Sequence, residues 1–139
     1  MKNSKLALCV FLALLPLITA MGSLQPQSPG KIPVPAMKYS ATLIDQADVL
    51  TDCREVSIDG ETFLTGKRGE GTNTIPFDNI TDVSFLQEGG KLNGIIKLRD
   101  GNSMRLGLDK NQTVYGLTKY GTFQIKLSEL KRMTLIKSP

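Results

Sequence analysis

The feature that most constrains this chain is a stretch that occurs twice. Residues 56–86 align without a gap on residues 106–136, with identities at Asp59/Asp109, Gly66/Gly116, Gly71/Gly121, Thr72/Thr122 and Ile75/Ile125. Apolar residues match as well, at Val56/Leu106, Ile58/Leu108, Leu64/Val114, Phe77/Leu127, Ile80/Leu130, Val83/Met133 and Phe85/Leu135. A unit this short cannot bury its hydrophobic face alone, so two copies are expected to pack on each other around a pseudo-twofold axis.

Within each copy the apolar residues alternate with a period of two. Thr122-Phe123-Gln124-Ile125-Lys126-Leu127 is the plainest run, and this is the spacing of a strand with one buried face. Asp100-Gly101 between two alternating runs reads as a tight hairpin turn. A turn is also expected at Thr51–Cys53. Pro76 cannot donate to a ladder and marks a strand end or a sheet edge. Short non-strand links follow at residues 78–80 and 128–130. The chain therefore reads as all-β, nine or ten short strands in an antiparallel sandwich or flattened barrel made of two tandem repeats, about 41–90 and 91–139. The glycines Gly66, Gly71, Gly101, Gly116 and Gly121 are read as structural. Gly71, Gly101 and Gly121 supply turns, and Gly66 and Gly116 mark a bulge or a close backbone approach.

Ahead of this domain, the chain opens with MKNSK, an apolar run from Leu6 to Ala20, and small residues at Ala20 and Gly22. That is the pattern of a secretory signal peptide over residues 1–22, cleaved near Gly22, and it predicts an exported protein of the periplasm or cell envelope. Residues 23–38 carry Pro26, Pro29, Pro33 and Pro35 and read as a flexible leader to a domain spanning 39–139. Without the signal segment Cys53 is the one cysteine of the 139-residue chain that remains. No intramolecular disulfide can form, and the thiol is expected to be buried.

Candidate chemistry is sparse. The sequence has no histidine, which removes the commonest general base and metal ligand. Arg54 beside Cys53 is a pairing that lowers a thiol pKa, but no imidazole is present to activate it. Gly66-Lys67-Arg68-Gly69-Glu70-Gly71 has the composition of a phosphate loop, yet a strand follows where a helix would be required. Asp45, Asp48, Asp52 and Glu55 lack calcium-loop spacing and read as a solvated acidic edge. No cofactor or metal is predicted, and the chain is expected not to be an enzyme.

Charge is more informative. Residues 41–90 hold ten acidic and three basic side chains, and residues 91–139 hold three acidic and ten basic. The sign inverts at matched positions, Glu55 against Arg105 and Asp82 against Arg132. Lys97, Arg99, Arg105, Lys126 and Arg132 are expected to form one outward basic patch, opposed by an acidic patch of Asp45, Asp48, Asp52, Glu55 and Asp82. Two binding functions follow. Either oppositely charged repeats of different molecules meet and the chain forms a homo-oligomer or joins an envelope protein, or the basic repeat holds anionic lipid or polysaccharide. Nucleic acid is not expected, because the chain is exported and few aromatics interleave the basic residues.

The endings Gly121-x-Phe123-x-Ile125-x-Leu127-x2-Leu130-x2-Met133-x-Leu135 and Ile75-Pro76-Phe77-x2-Ile80-x2-Val83-x-Phe85 resemble those of small bacterial secreted β domains of unassigned function. The resemblance implies an envelope β module and carries no activity with it.

Overall fold

A computed structural model describes residues 32–136; the signal segment and most of the leader lie outside the described residues. The first half forms β1 (Ser40–Asp45), β2 (Leu50–Ile58), β3 (Phe63–Arg68), β4 (Gly71–Pro76), a 3-10 turn (Phe77–Asn79) and β5 (Ile80–Glu88). The second forms β6 (Lys91–Leu98), β7 (Ser103–Leu108), β8 (Thr113–Thr118), β9 (Gly121–Lys126), a 3-10 turn (Leu127–Glu129) and β10 (Leu130–Ile136). Every strand pairing is antiparallel.

The ten strands form one continuous sheet in the order β4-β3-β7-β6-β5-β10-β1-β2-β8-β9, curled into a half-barrel. A second sheet, as in a sandwich, does not form, and the strand order shows why. The β3–β4 hairpin leaves its own half and pairs with β7 of the other, while β8–β9 pairs with β2. This exchange keeps all ten strands in a single ladder, so the apolar face is closed by curling. Read from either edge, the order is the same once β1–β5 are exchanged for β6–β10, and β5 and β10 meet at the centre.

Two details of the sequence alignment are corrected by the register. From β3 onward matched places are fifty residues apart: the β3 and β8 bounds, the 3-10 turns, and the bonds from Phe77 N to Thr62 O and from Leu127 N to Gln112 O, each 2.9 Å. Before β3 the offset is fifty-three. Phe85 pairs with Gly94 and Gly94 with Leu106, whereas Leu135 pairs with Ala41 and Ala41 with Cys53. Cys53, not Val56, therefore takes the place of Leu106, and Asp52, not Glu55, that of Arg105. β2 is three residues longer than β7 and absorbs the difference, one residue of it in a bulge between Arg54 and Ser57, with Glu55 at φ 50°. For the same reason Thr51–Cys53 is not a turn. These residues lie inside β2, and the chain reverses at Gln46–Val49, where the Asp45 carboxylate accepts from Ala47 N and Val49 N.

The inner face carries the core. Leu43, Val56, Ile58, Leu64, Ile80, Val83, Ile96, Leu106, Val114, Leu130 and Met133 are buried. Phe77 and Leu127, from the two 3-10 turns, insert fully, and Tyr39 meets Phe77 edge-on at 5.5 Å. Ile125 on the edge strand β9 is only half-buried, whereas its counterpart Ile75 on the other edge strand, β4, is 7% exposed. β4 is the other edge and stops at Pro76, which presents no N–H to a further strand.

Gly66 and Gly116 sit inside β3 and β8, not in turns. A Cβ on Gly66 would stand 2.7 Å from Leu106 Cβ, and one on Gly116 2.7 Å from Cys53 Cβ. These glycines let each exchanged hairpin close on the other half. The left-handed residue of the β3–β4 turn is Gly69 (φ 62°), not Gly71, whereas Gly101 (φ 95°) and Gly121 (φ 145°) hold positive φ in their turns. The end of the leader packs on the domain: Pro35 is buried, and a Cβ on Gly60 would meet Pro33 at 3.0 Å.

Candidate binding surface and its charge pairs

The outer face of the sheet places Lys97, Arg105 and Arg132 on β6, β7 and β10. One row across it runs Ser103, Lys97, Asp82, Thr134, Thr42 and Asp52, and the next runs Arg105, Ile95, Ser84, Arg132, Ile44 and Leu50. The expected single basic patch does not form. Arg99 lies past the end of β6, where its Nε donates to Asp78 O (2.6 Å), and Lys126 ends β9 at the far edge.

The acidic patch is dispersed as well. Asp45 closes the β1–β2 turn, Asp52 accepts from Thr42 Oγ1 (2.7 Å), and Glu55 at the bulge pairs with Lys38 (3.2 Å). Asp82 is 8% exposed, beneath the guanidinium of Arg132 (3.2 Å) and directly opposite Lys97 on β6. Asp48 accepts from Lys131 Nζ (2.6 Å), and Glu88 pairs with Arg105.

Of the four ion pairs among the described residues, three cross between the halves: Arg132–Asp82, Lys131–Asp48 and Arg105–Glu88. The opposite signs of the two halves are thus matched within one molecule. Asp82 and Arg132 flank the central Val83–Met133 pair on the two middle strands, so the antiparallel register of β5 and β10 brings them side by side. The charge inversion was legible in the sequence, but its intramolecular use required the strand order.

Cations without an ion-pair partner among the described residues include Lys67, Lys91 and Lys110. These three meet at one place, a cleft of about 710 Å³ where the β3–β4, β5–β6 and β7–β8 turns converge. The cleft follows from the seam beside it. β3 and β7 are joined at a single register pair, Lys67 with Gly107, and Gly107 adds no side chain to the surface there. Thr65, Thr72, Asn93 and Asn111 offer further polar groups, and Leu92 and Leu108 line its apolar part. Sequence reasoning missed this cleft, because only the strand exchange brings residues of three separate turns together.

The symmetry-related seam, β2 with β8, carries a second depression of about 620 Å³. There Arg54 and Leu117 are paired where Gly107 and Lys67 stand in the first, and Ser40 takes the place of Asn93. An arginine thus replaces the glycine, and a leucine replaces the lysine. The matched places have been given different chemistry.

Cys53 at this second seam is buried, and burial, aided by the Asp52 carboxylate, pushes its thiol up to about 11. The expectation that Arg54 would lower it is overturned, because desolvation of the thiolate outweighs the exposed neighbouring guanidinium. Among the described residues no cluster of three or more His, Cys, Asp or Glu could hold a metal ion, and no helix is long and apolar enough to cross a membrane.

Fold and surface together define a one-sheet β domain with an exchanged-hairpin core and a basic cleft at one seam. The chain belongs to a family described as "Uncharacterised protein", which matches residues 35–138 and so takes in the packed Pro35. No curated protein and no solved structure matches the chain.

Proposed function

We propose that this chain is an exported, non-catalytic binding module of the cell envelope whose partner is anionic. The observation that carries this reading is the internal pairing of Arg132–Asp82, Lys131–Asp48 and Arg105–Glu88. Head-to-tail association through oppositely charged halves would compete with these three pairs, whose charges already face each other within the molecule at short range. The cations left without a carboxylate are then the ones available to an external anion. A binding role is further supported by the absence of histidine from the sequence and by a Cys53 thiol held protonated through the neutral range.

Light scattering at low and high salt, combined with retention on a sulfated polysaccharide matrix, tests the proposal. The expected result is a monomer at both salts, retained at low salt and released as salt screens the contacts. A mass above the monomer that falls as salt rises would instead support association through the oppositely charged halves.

A further inference from the structure

Resting on the anionic-partner reading, we infer that the cleft between the β3–β4, β5–β6 and β7–β8 turns is the binding site, and that it takes a small phosphate ester with a hydroxylated organic part. Lys67, Lys91 and Lys110 reach the cleft from three different segments, and none has an ion-pair partner among the described residues. Three ammonium groups suit a group with about two negative charges, which a phosphate monoester carries near neutral pH and a single carboxylate does not. Lysine binds phosphate as a point charge and needs no fixed fork geometry, so lysines on separate turns can share one such group.

The rest of the lining selects the organic part. Thr65, Thr72, Asn93 and Asn111 supply hydroxyl and amide groups that both donate and accept, the complement of a polyol. Asp109 also lines the cleft; its Oδ1 accepts from Asn111 N (2.9 Å), and the carboxylate can accept from a ligand hydroxyl. No aromatic side chain lines the cleft, so a nucleobase would have no stacking platform. The volume lies in the range of small-ligand pockets. Gly89 (φ 57°) and Gly90 (φ 79°) hold the β5–β6 turn in a tight left-handed form beside Lys91, and Gly90 lines the cleft with bare backbone. The second seam sharpens the choice. At matched places it has Arg54 for Gly107 and Leu117 for Lys67, so the fold alone does not require a lysine and an open floor there.

Titration of the 15N-labelled domain with glucose 6-phosphate, glucose and glucuronate tests the inference. Amide shifts confined to Gly69, Gly90 and Gly107, with glucose 6-phosphate bound at least tenfold more tightly than the other two, are expected. K67E/K91E/K110E should weaken that binding at least tenfold, while K97E/K126E leaves it unchanged; near-native spectra of both variants show that each is folded. Sedimentation with vesicles containing phosphatidylinositol 4-phosphate, whose head is a phosphate monoester on a polyol, separates the two sources of a phosphate ester. Vesicle binding lost in K67E/K91E/K110E identifies a lipid headgroup, and binding of the soluble ester alone identifies a free ligand. Anion binding that survives K67E/K91E/K110E and fails in K97E/K126E overturns this site while leaving the anionic-partner reading standing. No response to any of these ligands or vesicles, with retention on the sulfated matrix, overturns this site alone; loss of that retention as well overturns both.

Discussion

The tightest constraints fall on single residues at the seams. Gly66 and Gly116 each face a neighbour at 2.7 Å from where a Cβ would stand, and in both cases the neighbour is a Cβ attached to the opposing backbone. It cannot rotate away. Gly66→Ala and Gly116→Ala are therefore expected to cost about 1–3 kcal/mol, as overpacking of a fitted contact. Gly71→Ala is expected to be near neutral, because Gly71 lacks positive φ and the nearest atom to its Cβ lies 3.7 Å away. Denaturant melts of the three variants check this ranking, and a loss at Gly71 equal to that at Gly66 would contradict it. Cys53 supplies a second prediction. Its thiol is raised from 9.0 to about 11, so between those pH values the native state holds a proton that the unfolded state has released. Stability from this group is complete below pH 9 and falls as pH rises toward 11, with a slope of at most about 1.4 kcal/mol per pH unit. Chemical denaturation across that range should show the slope in the wild type and a shallower one in Cys53→Ala. Equal slopes would mean that the thiol is not held as described.

At the scale of elements, the alternation of apolar residues made the strands legible, and Gly71, Gly121 and Pro76 marked three of their ends. The sequence did not reveal where β2 and β7 correspond. Val56/Leu106 and Ile58/Leu108 satisfy the alignment, yet the ladder matches Cys53 to Leu106. Ahead of Val56 the apolar alternation of the first copy falls out of step by one residue, which marks a break without giving its form, and the bulge at Glu55 is that break. The charge inversion was legible and its purpose was not, since β5 and β10 are adjacent only after the halves interlock. Their contact can be tested directly. Arg132 lies over an Asp82 carboxylate that is almost fully covered, so Arg132→Ala leaves that carboxylate without its guanidinium, and Asp82→Ala removes the charge that Arg132 neutralises. A double-mutant cycle should give a favourable coupling on the order of 1 kcal/mol. The swap D82R/R132D should recover only part of the loss, because arginine is too long for the covered site. Zero coupling would mean that the charges of the two halves are not matched at the axis.

For the molecule as a whole, the exchange of hairpins determines what can fold alone. β3–β4 has no β7 within its own half, and β8–β9 has no β2 in its half, so each half on its own would expose an unpaired hairpin and half of the common core. Phe77 illustrates the dependence. It is completely buried and belongs to the first half, but β3 and β4 ahead of it are anchored on the second. Burial of one such side chain contributes about 1.5–3 kcal/mol, and an isolated half retains too few of these contacts to offset its chain entropy. Peptides of residues 32–90 and 91–136 are accordingly expected to be disordered separately, by circular dichroism and amide dispersion, and to form the native β spectrum when mixed in equal amounts. Reassociation should be slow, since four of the pairings that join the two peptides, β1–β10, β2–β8, β5–β10 and β3–β7, are distant in sequence and must form together. Charge assists it: the peptides carry opposite net charge, so raising the salt should slow complementation more than it destabilises the assembled domain, whose central carboxylate, Asp82, is covered. A half that folded unaided would show that its hairpin can find a partner within its own five strands, and the exchanged order would then not be a requirement of the sequence.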